Sequence, residues 1–400
     1  MAKSTLMTMM CSAAVVLTAA GAVPEHFQPR AKELLADAID LEQNAHSLNV
    51  IYFTGNDMAP TADASRRISE LLVYLQQYYG KEMARNGFGK RSFGLSRTAD
   101  GNVDIYYIQG KNAHKDYAYG TGHHACIEEV EAWFAAHPGS KMSNHTFIIM
   151  PTWQSDGYND KNPGGVPFYG YGKYCFALDY ADFDIKHLGK KTTEGKLLTK
   201  WYGGFAHELG HGMNLPHNNG TANQNRALGT PLMGSGNYTF GQSPTYLTEA
   251  SCALLANTEI FVSAGNTVPF YTQTTPPTVY HAELVKRAGT LELLLELSMD
   301  VAQVNAYMQD PPYAVNQDYE AIAFACKMGT NKNGRKVAGI IIPLNDLVGL
   351  KNRKAGELGL DVLLQTQEGS RFRWRIPVDL SKAVDGLPID TGAPAFLFGY

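Results

Sequence analysis

The sequence lacks a charge imbalance, a long apolar run in its body, and any internal repeat. Its 34 Lys and Arg residues face 38 Asp and Glu residues, so the formal net charge is only −4. That balance provides no basic field for nucleic acid or for an anionic membrane. Beyond residues 1–22, no segment is apolar enough to cross a bilayer. These absences exclude nucleic-acid-binding, membrane-spanning and repeat proteins, and they leave a globular protein.

Cysteine is also scarce, with five residues in a chain of 400. Cys11 lies in the N-terminal segment, which leaves Cys126, Cys175, Cys252 and Cys326 in the body of the chain. Four cysteines allow three disulfide pairings, and the sequence does not choose between them. Buried free thiols are the alternative, because Cys175 and Cys326 stand in apolar, strand-like runs. Both alternatives stay open at this point.

The N-terminus has the features of an export signal. Lys3 precedes an apolar run at 11–20, and Ala20 and Ala22 form the small-x-small pattern of a signal-peptidase site. The run is too short to span a membrane. We therefore expect residues 1–22 to be a signal peptide and the protein to be secreted or otherwise extracytoplasmic.

The chain is long enough for two domains, and 44% of its residues are hydrophobic. After an N-terminal extension at 23–47, residues 48–262 alternate between buried-strand and amphipathic-helix patterns. Strands are predicted at 49–53, 146–150 and 174–178, and helices at 63–86, 122–136 and 247–260. This mixture predicts an α/β or, as we favour here, an α+β domain with a mixed sheet.

A linker and a second domain follow. Residues 263–278 are rich in Gly, Pro and Thr and are predicted to be the linker. Residues 279–400 are predicted to form a smaller C-terminal β-sandwich. Its strand-like runs lie at 290–297, 319–326, 337–342, 358–364 and 372–378.

The last of these strands has a strictly alternating pattern. Arginines at 371, 373 and 375 alternate with Phe372, Trp374 and Ile376. Side chains of a strand point to opposite faces in turn, so we expect the apolar residues in a core and the arginines in solvent. A glycan or protein contact through this domain is the alternative.

A metal-binding pattern stands in the larger domain. Residues 207–217 read His-Glu-Leu-Gly-His-Gly-Met-Asn-Leu-Pro-His. On a helix, His207 and His211 lie on one face about one turn apart, so both imidazoles can reach one ion. Glu208 is rotated from His207 by about 100°. Its carboxylate is therefore expected beside the metal, where it can serve as general base for a metal-activated water.

The third histidine requires a reversal of the chain. His217 stands six residues beyond His211, and a continuing helix would carry it far along the axis. Asn214 tolerates the left-handed conformation that such a turn needs, and Pro216 prevents the helix from resuming. We therefore predict that His207, His211 and His217 hold one catalytic zinc ion and leave a position open for water.

This stretch resembles the long zinc signature of the metzincin metallopeptidases, and its first five residues especially resemble the adamalysin-like branch. The resemblance implies a metzincin-like zincin catalytic domain, endopeptidase activity and a Met-turn beneath the metal. Met233, in a Gly-rich turn 16 residues after His217, fits that turn, and the helix predicted at 247–260 fits the family's C-terminal helix. Because Ser235 stands two residues beyond Met233, the tyrosine ligand of some branches is not expected.

Other residues of the chain could also bind a metal or line a cleft. Glu249 opens a helix 38 residues after His211 and would be the third ligand of a different peptidase type, although a first-turn acid favoured by the helix dipole is the simpler interpretation. His123 and His124 form either a second metal site or a polar helix start. A further aromatic group is expected either to line the cleft or to form an exposed strand, and its members are Phe168, Tyr169, Tyr171 and Tyr174.

The sequence therefore predicts a secreted zinc metalloendopeptidase that hydrolyses peptide bonds in a protein or peptide substrate. It predicts one zinc ion, sets no expectation for calcium, and predicts neither a nucleic-acid partner nor a transmembrane segment. The alternative is a secreted binding or adhesion protein with a non-catalytic zinc domain. A zinc hydrolase that acts on a non-peptide amide is a third hypothesis.

Overall fold

The computed structural model describes residues 23–155, 157–159, 161–311, 319–351 and 356–398. The signal peptide predicted at 1–22 lies outside the described residues. The α-helices are Pro29–Leu34 (α1), Ala64–Arg85 (α2), Gly122–Ala136 (α3), Thr193–Gly212 (α4), Ala222–Leu228 (α5) and Glu249–Leu255 (α6). Helix α6 is shorter than the helix predicted at 247–260, because a 3₁₀ turn at Glu259–Phe261 replaces its C-terminal end.

The N-terminal part, residues 23–262, is built on one mixed sheet. Its strands are Asn49–Thr54 (β1), Ile105–Gln109 (β2), Thr146–Pro151 (β3), Gly170–Tyr171 (β4) and Tyr174–Asp179 (β5). In the order β2-β1-β3-β5-β4, the first four strands run parallel and β4 is an antiparallel edge strand on β5. All side chains of β1 and β3 are buried, as expected for parallel strands covered on both faces.

Helices α2 and α4 are tied together in the core of this part. Tyr79 on α2 donates a hydrogen bond to the carbonyl of Ala206 on α4 (3.0 Å), and Tyr202 on α4 donates one to the carbonyl of Leu71 on α2 (2.7 Å). Both tyrosines are fully buried, so each hydroxyl needs such a partner. These contacts fix the position of α4, which carries the predicted metal-binding motif.

The C-terminal part, residues 279–398, has two antiparallel sheets around a second hydrophobic core. A two-residue parallel pair, Thr230–Pro231 (β6) and Thr245–Tyr246 (β7), precedes it. The strands of the C-terminal part are Val279–Arg287 (β8), Thr290–Leu297 (β9), Val301–Gln309 (β10), Ile322–Ala325 (β11), Lys327–Thr330 (β12), Lys336–Pro343 (β13), Glu357–Thr366 (β14), Arg371–Asp379 (β15), Pro388–Ile389 (β16) and Phe396–Phe398 (β17). The sheet orders are β11-β10-β14-β15-β17 and β12-β13-β9-β8-β16.

The predicted combination of an α+β part and β-sandwich-like sheets is confirmed. Strand β11 lies within the run predicted at 319–326, whereas β12, which follows Cys326 and belongs to the other sheet, was not predicted. Strands β8 and β10 were not predicted.

The sheet that contains β10, β14 and β15 lies against the N-terminal part. Asn305 on β10 donates a hydrogen bond to the carbonyl of Ala250 on α6 (2.8 Å), and Gln365 on β14 donates one to the carbonyl of Leu254 (3.1 Å). The backbone of Asn219 also pairs with the segment that leads into β11. One face of this sheet therefore covers α6 instead of facing water.

This contact corrects the expectation for the arginines of β15. Trp374 and Ile376 lie in the second core, as predicted. Arg373, however, is only 7% exposed and Arg371 is partly buried, so the expectation that they lie in solvent is wrong. The alternation identified two faces correctly, but the second face meets the N-terminal part.

Residues 263–278, predicted to be a linker, contain no helix or strand beyond an isolated bridge at Ser263. The segment is nevertheless anchored. Phe270 is buried, and the hydroxyl of Tyr271 accepts a hydrogen bond from the backbone N–H of Glu259 (3.2 Å) and lies 2.6 Å from Nε2 of His145. The connection between the two parts is thus held against the N-terminal core.

The four cysteines in the body of the chain are buried free thiols, so the disulfide alternative is wrong for them. Among the described residues, no helix combines the length and the hydropathy that a bilayer crossing requires.

Candidate metal centre

Helix α4 begins at a side-chain cap and contains two glycines in close contacts. The hydroxyl of Thr192 accepts a hydrogen bond from a backbone N–H of the first turn (3.2 Å). A Cβ at Gly203 would collide with the backbone of Asn237, and one at Gly204 would lie 2.6 Å from the ring of Phe168. Glycine weakens a helix, and here the close packing of its neighbours explains both residues.

Backbone carbonyl groups orient the rings of His207 and His211. Nδ1 of His207 lies 2.7 Å from the carbonyl oxygen of Leu232, and Nδ1 of His211 lies 2.8 Å from that of Leu215. A carbonyl oxygen can only accept, so each Nδ1 carries the proton. Each Nε2 therefore presents a lone pair, which is the tautomer that a metal ligand needs.

Helix α4 ends in a left-handed turn at Asn214, whose φ is 63°. The N–H of Asn214 donates to the carbonyl of His211 (2.7 Å), and the N–H of Leu215 donates to that of Gly210 (2.9 Å). These two bonds form a Schellman motif. The turn thus ends the helix and also presents the Leu215 carbonyl to His211, and the reversal predicted at Asn214 is present.

The reversal brings His217 next to the other two histidines. Nε2 of His211 lies 3.0 Å from Nε2 of His207 and 3.0 Å from Nε2 of His217. Ligand atoms of all three lie within 4.8 Å of one another. Because Nε2 of His207 and of His211 are both acceptors, their lone pairs would repel at this distance without a cation between them. The donor set therefore fits a divalent metal, and imidazoles suit zinc.

Burial also keeps these rings neutral. It lowers the pKa of His207 to about 4 and holds the pKa of His211 well below its ordinary value, and the neighbouring histidines add to both effects. Only a neutral imidazole can bind a metal. The two rings on α4 are thus in the binding form near neutral pH.

Glu208 lies beside the three histidines and faces the edge strand β4. Its Oε2 accepts a hydrogen bond from the N–H of Gly170 (3.0 Å), and a Cβ at Gly170 would collide with His211, so only glycine lets β4 approach this closely. Burial raises the pKa of Glu208 to about 8, and the hydrogen bond opposes this shift. A cation on the adjacent histidines would favour the ionised carboxylate.

Met233 lies directly beneath α4. It is 1% exposed, and a Cβ at Gly210 would collide with its Sδ atom. The preceding residue, Leu232, provides the carbonyl that orients His207. This turn therefore supports the site through two contacts, while its assignment as a metzincin Met-turn stays a prediction.

The structure does not assemble the rival sites. Glu249 is exposed in the first turn of α6, behind its cap residue Thr248, as the simpler interpretation had it. The rings of His123 and His124 contact each other with centroids 3.9 Å apart and an interplanar angle of 37°, and Nδ1 of His123 lies 2.8 Å from the hydroxyl of Tyr169. In the described part of the chain, the three histidines of the motif form the one group of convergent metal ligands.

A cleft of about 320 Å³ opens beside Glu208 and the histidines. Its wall from the N-terminal part includes the aromatic residues Tyr119, Phe168 and Tyr169. Phe168 and Tyr169 thus line the cleft, which was one of the two expectations for them. Tyr171, in contrast, is exposed.

The C-terminal part provides the remaining wall of the cleft, which sequence reasoning missed. The ring of Tyr319 stacks on the imidazole of His217, with centroids 3.7 Å apart and an interplanar angle of 26°. Arg371 and Arg373 line the same cleft. Nothing near the histidine motif points to these residues, and the alternating arginines were the only signal.

The chain is similar to solved structures of OgpA from Akkermansia muciniphila. Wild-type OgpA in one crystal form shares 45% sequence identity with a TM-score of 0.84, and the match covers 88% of this chain and 98% of that chain. A second crystal form gives 44% identity, a TM-score of 0.83, and coverage of 90% and 99%. The chain belongs to the OgpA family.

A third OgpA structure is of a catalytically inactive form in complex with an O-glycopeptide substrate, glycodrosocin. It shares 46% identity with a TM-score of 0.82, over 86% of this chain and 96% of that chain. No protein-family model and no curated protein matches the chain. The coverage means that OgpA shares both the mixed-sheet part and the β-sandwich-like part, so both belong to the family architecture.

The turn at Asn214 gives a first testable prediction. Alanine disfavours the left-handed conformation by about 1–2 kcal/mol, whereas glycine adopts it freely. We expect Asn214→Ala to lower the free energy of unfolding by about 1 kcal/mol more than Asn214→Gly does. Urea unfolding of both variants measures the difference. Equal stability would show that the left-handed turn is not what Asn214 provides.

Proposed function

We propose that this chain is a secreted, zinc-dependent endopeptidase that cleaves O-glycosylated peptides. The observation that carries the proposal is a group of three convergent histidines in a chain 45% identical to OgpA. OgpA, in its inactive form, binds an O-glycopeptide substrate. The cleft beside Glu208 and the histidines provides a physical site for such a substrate.

His207, His211 and His217 would hold the metal. A zinc ion held by these residues would supply Lewis acidity and would lower the pKa of the hydrolytic water. The chain contributes fixed ligands, because the carbonyls of Leu232 and Leu215 set the tautomers of two of the rings.

Glu208 is the proposed general base. One of its carboxylate oxygens is held by the N–H of Gly170, which leaves the other to accept a proton from the attacking water and to return it to the leaving amine. Gly170 lies on β4, the edge strand of the mixed sheet. An edge strand offers unpaired backbone groups with which an extended peptide can pair.

The aromatic wall supports a glycosylated substrate. The faces of a sugar ring present C–H groups that pack on aromatic rings, while its hydroxyls can bind phenol groups. Tyr119 and Tyr169 meet edge to face, with centroids 5.6 Å apart and an interplanar angle of 81°. The hydroxyl of Tyr169 is held by the carbonyl of Gly120 (3.1 Å) and by His123. This wall is thus preorganised next to the proposed reacting groups.

Export is part of the proposal and is supported by the sequence of residues 1–22. N-terminal sequencing of the exported protein should begin at Val23, and an N-terminus at Met1 would contradict export.

Cleavage of two synthetic peptides of one sequence tests the proposed function. One peptide carries an O-glycan on a single Ser or Thr, and the other carries none. We expect the zinc-loaded protein to cleave the glycosylated peptide at least about 100-fold faster, because a site built to bind a polar group rejects a substrate that lacks it. Mass spectrometry of the products measures both rates and identifies the bond.

Equal cleavage of both peptides would contradict the glycan requirement and leave a general peptidase. Binding of the glycopeptide without cleavage would favour the alternative of a binding or adhesion protein.

A further inference from the structure

The C-terminal part places two arginines in the cleft. Arg371 and Arg373 are alternate residues of β15, so both lie on the sheet face that meets the N-terminal part. Both line the cleft that also contains Glu208 and His217. A cationic wall therefore stands in the cavity that holds the proposed reacting groups.

The two arginines differ in their partners. Arg373 forms an ion pair with Asp361 (3.4 Å), and that carboxylate is also bound by Arg375 at 2.6 and 2.7 Å. Arg371 has no carboxylate partner among the described residues. It donates one long hydrogen bond to the hydroxyl of Thr258 (3.4 Å), and its Nε and Nη1 atoms are shielded from solvent without a hydrogen-bond partner.

Burial lowers the pKa of Arg371 to about 10, which is the response of a cation removed from water without a compensating anion. A buried cation without a compensating anion is unfavourable, and an anionic ligand in the cleft that Arg371 lines would offset that cost. The planar guanidinium group matches the geometry of a carboxylate and forms charge-assisted hydrogen bonds with it. The chemistry of Arg371 thus calls for an anionic oxygen ligand.

A second cation, Lys173, adds to the positive electrostatic potential around Arg371. Lys173 lies in the turn between β4 and β5, with Nζ 4.3 Å from the ring centroid of Tyr271, and Arg371 is among the charges that lower its pKa after burial. The acids near it, Glu259 and Glu368, already accept hydrogen bonds from backbone N–H groups. Neither acid pairs with Arg371.

We propose that Arg371 binds a carboxylate group carried by the substrate. The subsite rests on the proposed function, because it selects among the glycopeptides that the metal centre would cleave. Two parts of such a substrate provide this chemistry, namely an acidic side chain of the peptide and a sialic acid of the glycan. Either one would make the protein prefer acidic substrates.

Binding to the Glu208→Gln variant tests this subsite without turnover. Three O-glycopeptides are compared by titration calorimetry on the zinc-loaded protein. The first is neutral. The second is a series in which Glu replaces Gln at one position at a time near the glycosylated residue. The third combines the neutral peptide with a sialylated glycan. We expect one acidic form to bind about 10- to 100-fold more tightly than the neutral one. Adding Arg371→Gln should abolish this preference, so that the neutral and acidic forms bind this double variant with similar Kd values.

The two acidic forms distinguish the sources of the carboxylate. Tighter binding of a Glu-containing peptide assigns it to the peptide, and tighter binding of the sialylated form assigns it to the glycan. Equal binding of all forms, absence of binding, or a preference that survives Arg371→Gln would overturn the proposal. If the Glu208→Gln variant binds with this preference but the protein with Glu208 intact cleaves none of the peptides, only the proposed function is contradicted.

Two further variants control for indirect effects. Arg335→Gln makes the same chemical change on a half-exposed arginine, which precedes β13 in the other sheet and pairs with Glu296, and it should keep the full preference. Arg371→Lys keeps the positive charge and should retain part of it, which separates loss of charge from loss of fold. The preference should also weaken as salt screens the charges.

Discussion

Glu208→Gln is expected to lower kcat for glycopeptide cleavage by about 10²- to 10⁴-fold, or more, with the metal still bound. The amide has nearly the size of the carboxylate, and its oxygen can still accept the hydrogen bond from the N–H of Gly170 (3.0 Å). It cannot accept a proton from water. The loss corresponds to about 3–5.5 kcal/mol of activation free energy. Glu208→Ala also removes the contact with Gly170 and should be at least as slow.

A matched control lies on the same helix. Glu194 is exposed in the first turn of α4, at the end remote from the histidines. Glu194→Gln removes a negative charge that the helix dipole favours, and it should leave kcat unchanged. Single-turnover kinetics measure the rate of peptide cleavage, and inductively coupled plasma mass spectrometry measures the zinc content. Undiminished turnover in metal-loaded Glu208→Gln would rule out the general-base role.

His217→Ala is expected to release the metal. Loss of groups that merely orient a ligand costs about 10- to 100-fold in metal affinity, so loss of one of three ligands should exceed about 100-fold. When the zinc supply is limiting, the activity of the variant should fall in proportion to its bound zinc. Competition with a chelator of known affinity measures the change. The stacking contact of Tyr319 is lost as well, so Tyr319→Ala is needed as a companion variant; it should retain far more zinc than His217→Ala.

Another histidine provides the control for this substitution. His281 lies on β8 of the C-terminal part with its side chain 52% exposed, and His281→Ala should leave zinc binding unchanged. If His217→Ala kept one tightly bound zinc per chain, a different group would have to complete the site. Glu249 is the candidate that the sequence offers, although it is exposed on α6.

The metal-binding motif could be predicted because its determinants are local. The spacing of His207 and His211 follows from helix geometry, and the left-handed turn follows from the tolerance of Asn214 for positive φ. Even so, the carbonyl of Leu232 that orients His207 comes from a separate turn. No local pattern specifies that contact.

Strands β1, β3 and β5 were predicted because nearly all of their residues are buried, so that they read as continuous apolar runs. Strand β10 was missed for the opposite reason. Its residues Gln303, Asn305 and Gln309 are buried polar residues, and they make the strand look like a loop. Asn305 is needed there because it binds the carbonyl of Ala250 across the contact between the two parts. A polar strand face of this kind is explained only by its partner.

The second wall of the cleft could not be predicted for the same reason. Alternation in β15 shows that Arg371 and Arg373 share a face, but it does not show what covers that face. The packing of the C-terminal part against the N-terminal part places them beside His217. A site built from two parts of a chain thus becomes visible only once both are folded.

Anomalous diffraction on both sides of the zinc absorption edge is the most direct test of the metal centre. Crystals of the metal-loaded protein should show one zinc peak within about 2.0–2.1 Å of Nε2 of His207, His211 and His217. A peak elsewhere, or a zinc ion bound without one of these three rings, would contradict the account.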